Sequence, residues 1–309
     1  MKFSTGLPGL NRYPPITCDW ETSMGAADFQ RVARAADDLG FDSIAISEHI
    51  VIPADMVELM GSFWSHAMTA MAFVAGATTR LTVDSAVIVT PYHDPVVFAK
   101  AVSTLDLLSG GRVRISLGVG HAEREFEVLR APFHERGRMT DEYIAAMVEL
   151  WTSDVPEFHG TYVDFDHIAF APRPVQQPHP PIWIGGNSRA AMRRAARHDG
   201  WYPWLITTEE LPECLEYVRS LPEFEARTRP FDVVMPLTTL AVSEDHRPLD
   251  DGVGRAPVLE GKQATVDAIG RLHEIGVTWT SLPPTPTRSL TEYLDHLQWT
   301  AEEIIPVFH

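Results

Sequence analysis

Lysine, cysteine and long apolar runs are what this 309-residue sequence has least of. Its two cysteines, Cys18 and Cys214, lie far apart without metal-ligand spacing. That excludes a disulfide framework and a cysteine-based metal centre. No apolar run approaches the roughly 20 residues of a membrane-spanning helix. The opening MKFSTGLPGL moves into polar sequence without the apolar core of a secretory signal. A cytoplasmic location is therefore expected, with no membrane partner. Lysine occurs only as Lys2, Lys100 and Lys262, the rest of the 25 basic residues being arginine, a balance typical of GC-rich genomes. Against 42 acidic residues they leave a net charge of −17, which disfavours nucleic acid and anionic surfaces as partners.

Several chemical signatures are missing as well. The first strand runs into GLPGL rather than a G-x-G-x-x-G turn, and no Walker-type G-K-[ST] or G-x-S-x-G elbow occurs. His66, His93, His134, His159, His167, His179 and His198 are scattered, without an i, i+4 pair or H-E-x-x-H. No metal site is expected from that spacing.

What is present is a rhythm. Apolar strand-like runs (KFSTGL, FDSIAIS, LTVDSAVIV, RVRISLGVG, PIWIGG, GWYPWL, FDVVMPLTTLAV, VTWTSL) alternate with helical patterns. The first helix, about Met24 to Leu39, sets Phe29, Val32, Ala33 and Ala36 on one face. About eight βα units with strands apolar on both faces predict an α/β fold, a single (β/α)8 TIM barrel over residues 1–309. One segment, Ser153 to Pro180, is too long for a plain connection; it predicts an excursion after strand four, with short hairpin strands over one end of the barrel. Another, Ser243 to Pro257, is polar, glycine-rich and expected to be mobile.

In such a barrel, chemistry sits where strands end. Strand two ends in Glu48 and His49, an ionisable pair that could act as acid or base or simply cap the loop. Strand three carries Asp84 and Ser85 inside an apolar run, which signals either a local irregularity or polar residues facing the interior. Strand four ends at Gly118 and Gly120, followed by His121 and Glu123. Glu123 reads as a general acid or base, or as an acidic residue favoured by a helix dipole. Strand five ends at Gly185 and Gly186, with Asn187 or Ser188 as N-cap. Bare amides there would hold a phosphate without net protein charge, or the pair is an ordinary capped turn.

The segments ARAADDLGFDSIAISEH, PYHDPVVFAKAVSTLDLLSGGRVRISLGVG, PFHERGRMTDEYIAAMVELWT and APRPVQQPHPPIWIGGNSRAAMRRAARHDGWYP together resemble the luciferase-like monooxygenase superfamily. They look most like its branch that uses the deazaflavin coenzyme F420. The resemblance runs from Lys2 to about Pro203 and implies a cofactor at the C-terminal mouth of the barrel. It implies a non-proline cis peptide under the cofactor ring at Ser85 and Ala86, and cofactor contacts from Glu48, Gly120 and His121. The amides of Gly185, Gly186, Asn187 and Ser188 match the cofactor phosphate site. His49 and Glu123 fall on catalytic positions, and a homodimer acting on a small-molecule substrate is implied. Relatives that dehydrogenate sugar phosphates carry a tryptophan shortly after the histidine, where this chain has IVIPAD. The substrate is therefore open. The expected reaction is hydride transfer between F420 and a small organic molecule. The alternatives are an FMN-dependent monooxygenase fed by a separate reductase and a non-catalytic flavin-binding protein. Arginine-rich composition leans the choice towards the deazaflavin.

Overall fold

The computed structural model describes residues 1–204, 206–237, 261–282 and 286–309. The glycine-rich stretch 243–257 lies outside these described residues. Eleven strands are present among them: β1 (Lys2–Thr5), β2 (Ser43–Ile46), β3 (Thr82–Ser85), β4 (Ile88–Val89), β5 (Val113–Gly118), β6 (Phe158–His159), β7 (Asp164–Phe165), β8 (Ile182–Gly185), β9 (Gly200–Tyr202), β10 (Asp232–Val233) and β11 (Trp279–Thr280). The sheet order is β10-β9-β8-β5-β3-β2-β1-β11, all pairs parallel, with β4 continuing β3 beside β5. Val234, next after β10, bridges Trp279 of β11, and the Met235 amide donates to the Trp279 carbonyl at 3.0 Å. That contact joins the two ends of the sheet, giving the eight-stranded α/β TIM barrel the sequence rhythm predicts.

The helices follow local signals. Asp94 caps Pro95–Ser109 by accepting from the Val96 and Val97 amides at 2.9 and 3.0 Å, and Gly110 ends that helix in the left-handed region. Val32, Ala33 and Ala36 of Ala26–Asp38 are buried, as their spacing requires. Along β5, Val113, Ile115 and Leu117 join the aliphatic core, while the alternate residues Arg114 and Ser116 bond to Asp84.

The barrel interior is therefore polar at one level. Arg114 lies between the rings of Trp183 and Trp279, at 3.5 and 3.8 Å, and donates to Asp84 at 2.8 Å. A cavity of about 300 Å³ lies below this layer, at the N-terminal ends of the strands, lined in part by Lys2, Arg80 and Arg114.

The excursion after the fourth barrel strand is present, with β6 and β7 as its antiparallel hairpin. It does not cover the mouth through its anchors. Glu142 on Arg136–Thr152 accepts from the amides of Thr161, Tyr162 and Val163, and Asp106 on Pro95–Ser109 accepts from those of Val175 and Gln176. Gln176 also donates to the carbonyl of Val113, where β5 begins. The segment must carry the chain to the start of β8, so it runs along the outer helices to the N-terminal face.

Candidate active site

The mouth is built around a break in the third barrel strand. Val83 pairs with Val113 and Asp84 with Arg114, but Ile88 then pairs with Leu117. One extra residue is thus accommodated between β3 and β4, a bulge. Ser85 is fully buried, and its hydroxyl bridges the gap by donating to the Ser116 carbonyl at 2.9 Å and accepting from the Ser116 amide at 2.8 Å. The cis peptide expected at Ser85 and Ala86 lies one residue later, between Ala86 and Val87. Ser85 is still held in register by Ser116, so the chain departs from the strand only after it. Ala86 and Val87 are the half-exposed residues of the bulge, and Ser85 has no open face towards a ligand.

Val87 explains two of the glycines. A Cβ on Gly118 would meet a Val87 methyl at 2.7 Å, and one on Gly185 would meet the other at 2.9 Å. Both glycines make room for the bulge. Gly120, with φ of +77°, lies against Val89 and the Phe126 ring in the same way, at 2.6 and 2.8 Å.

His49 leaves β2 towards β5. Its Nδ1 donates to Glu125 at 2.9 Å, and the other carboxylate oxygen accepts from the Ile50 and Val51 amides at 2.6 and 3.0 Å. Tyr92 adds a fourth bond, its hydroxyl donating to Glu125 at 2.9 Å. Burial acts to raise the pKa of Glu125, but the bonds from His49 and the Val51 and Ile50 amides outweigh it and hold the carboxyl below its ordinary value. Tyr92 is shifted the opposite way, upward, by burial and by the Glu125 charge. The His49 ring meets Trp64 edge to face at 4.7 Å and His121 edge to face at 5.7 Å.

Glu123, expected beside His49, is exposed on the first turn of Glu123–Leu129, 3.6 Å from His134. The structure brings Glu125 to His49 instead. Two residues along a helix turn the side chain to the other face, and Phe126 fixes which face is buried. Glu125, Tyr92, Trp64 and Val87 are the residues that sequence reasoning missed. A tryptophan does lie against His49, but it arrives from fifteen residues along the chain rather than from just after the histidine.

Glu48 points away from its neighbour. It is buried, accepts from the Val89 amide at 3.1 Å and from His93 Nε2 at 2.9 Å, and leaves Oε1 without a partner.

At the end of β8 the amide of Gly186 already donates to the Tyr202 carbonyl at 3.1 Å, and its own carbonyl accepts from Trp201 at 2.7 Å. Gly185 lies within β8. The Gly186 amide is therefore taken, and of the cradle expected from sequence it is Asn187 and Ser188 that leave amides open. Ser188 caps Arg189–Ala196 by accepting from the Ala191 amide at 3.1 Å. The amides of Asn187, Ser188, Arg189 and Ala190, all exposed residues, have no partner among the described residues. These amides lie one to four residues beyond Gly186, at the N-terminal end of Arg189–Ala196.

Comparison with known proteins agrees with this architecture. The family model for luciferase-like monooxygenase matches residues 4–283. An uncharacterised protein of Mycobacterium tuberculosis is 31% identical over 287 residues, covering 89% of this chain and 93% of its own length. An FMNH2-dependent dimethylsulfone monooxygenase of Pseudomonas putida is 37% identical over 141 residues, which is 45% of this chain and 37% of that protein. Among solved structures, the coenzyme F420-dependent tetrahydromethanopterin reductase of Methanopyrus kandleri superposes with a TM-score of 0.75 at 16% identity, covering 100% of this chain and 99% of that one. The chain belongs to the luciferase-like monooxygenase family, whose similar members include both F420-dependent and FMN-dependent enzymes.

Proposed function

We propose that this chain is an oxidoreductase that exchanges a hydride between coenzyme F420 and a small organic substrate at the barrel mouth. The observation that carries the reading is the His49–Glu125 pair, a basic ring held by a buried carboxylate beside the bulge. A bound deazaflavin supplies a carbon that gives or takes hydride, while the protein positions it and manages protons.

The residues present fit such a group. The unpaired amides of Asn187 to Ala190 offer a phosphate an uncharged seat, which suits a chain of net charge −17. Ala86 and Val87 give the ring a raised apolar support, with Gly120 and His121 around it, while the buried Glu48 carboxylate is turned to Val89 and His93. Because Nδ1 of His49 donates to Glu125, Nε2 is the atom left to exchange a proton with the substrate heteroatom. An imidazolium formed there would be stabilised by a carboxylate already held ionised. Glu125, which orients His49, thus stands in the catalytic place that the resemblance put on Glu123. A homodimer remains part of this reading.

A second reading, an FMN-dependent monooxygenase supplied by a reductase, is favoured by the similarity to the Pseudomonas putida enzyme. Titrating the purified protein with F420 and with FMN separates the two. Binding of F420, with F420-linked turnover of small alcohols or carbonyl compounds lost in His49→Ala, is the expected result. Tight FMN binding without F420 binding overturns the cofactor, and unchanged turnover in His49→Ala overturns the proton role.

A further inference from the structure

Glu48, His66 and His93 come together between the β2 loop and the turn after β4, although nothing in their spacing announces it. One potential ligand atom from each lies within 4.8 Å of the other two. His66 and His93 stand edge to face at 6.1 Å between ring centres. The Glu48 carboxylate between β2 and β4 is buried, and its Oε1 has no hydrogen-bond partner among the described residues. An uncompensated carboxylate oxygen at a buried position is costly, and a cation is one group that would satisfy it.

We propose that Glu48, His66 and His93 bind a divalent transition-metal ion of the zinc or cobalt class. Two imidazoles and one carboxylate form a donor set that suits these ions, with room for water as a further ligand. Ligand atoms around a tetrahedral ion lie roughly 3.3 Å apart, given metal–ligand distances of about 2.0–2.1 Å. His93 Nε2 and Glu48 Oε2 are 2.9 Å apart in a hydrogen bond that the ion would replace, releasing the Nε2 proton, so the larger closing movement falls on His66. That residue is exposed and caps Ala67–Ala77, where Nδ1 is bonded to Thr69. His93 is steadied by stacking on Phe98 at 5.0 Å. The bound ion would tie the β2 loop to the β4 turn beside the mouth. The inference is independent of which cofactor the mouth takes.

Untagged, chelator-treated full-length protein titrated with cobalt(II) tests it. One equivalent should bind with visible d–d absorption, and zinc(II) should displace the cobalt and raise the Tm of the wild type. His66→Asn keeps a helix-capping side chain in place of the His66 cap and removes one ligand, so the fold is retained. It and His93→Ala should each weaken cobalt binding at least about tenfold and abolish the zinc-dependent Tm rise. Absence of stoichiometric binding to the wild type, or binding unchanged in both variants, overturns the site.

Discussion

Asp84 and Glu125 are both buried carboxylates facing a nitrogen base, at 2.8 Å from Arg114 and 2.9 Å from His49, yet their pKa values move in opposite directions. Burial dominates at Asp84 and raises it, even against the Arg114 charge and the bonds from Arg114 and Ser116. At Glu125 burial also acts upward, but His49 and two backbone amides overcome it. The two sites differ in what surrounds the pair. Asp84 lies inside the barrel with Arg114 closed between two tryptophans, and the ion pair there is part of the packing. Glu125 lies at the mouth, where loop amides converge on it and fix a negative charge before any substrate arrives. Charge is tolerated in the first place and prepared in the second.

The largest expected effect comes from breaking the interior pair. Arg114→Met leaves Asp84 buried without its partner and should cost about 3–5 kcal/mol of stability in urea unfolding. Replacing both, as Asp84→Asn with Arg114→Met, should recover much of that loss, because no uncompensated charge is left behind. A single variant as stable as the wild type would show that the interior pair is not what holds this layer.

At the mouth the effect moves from stability to turnover. Glu125→Gln keeps an oxygen for the Ile50 and Val51 amides but removes the charge that faces His49. F420-linked turnover should fall about 100-fold, equivalent to about 2.7 kcal/mol of barrier. Glu123→Gln, altering an exposed carboxylate two residues away, should change turnover less than about twofold. Equal losses in both would erase the distinction between the buried and the exposed acid.

The barrel was legible because both faces of its strands are buried or filled, which leaves apolar runs of strand length in the sequence. Ser85 was legible as an interruption, since a hydroxyl inside such a run needs a partner, and Ser116 provides it. The exact peptide was not, because a one-residue bulge leaves no mark on composition. Choosing Glu125 over Glu123 required knowing which way a seven-residue helix faces, and Phe126 beside Glu125 is the one local clue. The glycines after strands four and five misled for a related reason. Room for a ligand and room for Val87 look identical in sequence. Likewise Trp64, His66 and His93 reach the mouth through loops whose paths no periodicity encodes.

Acid unfolding sharpens the contrast between the two carboxylates without adding a large term. Glu125 has its folded pKa depressed, so its contribution is present above the unfolded value and is lost as pH falls through the folded one. Asp84 has its folded pKa raised, so in the window above its unfolded value the native state binds the extra proton, and acidification favours folding there. The two act in different windows: Glu125 below its ordinary value of 4.5, where acid weakens the fold, and Asp84 above its ordinary value of 3.8, where acid favours it. From neutral pH to about pH 4 the urea midpoint should fall more in Asp84→Asn than in the wild type, and on further acidification it should fall less in Glu125→Gln. Parallel behaviour of the two variants would mean that the interior and the mouth hold their charges by the same balance, and the opposition drawn from their surroundings would fail.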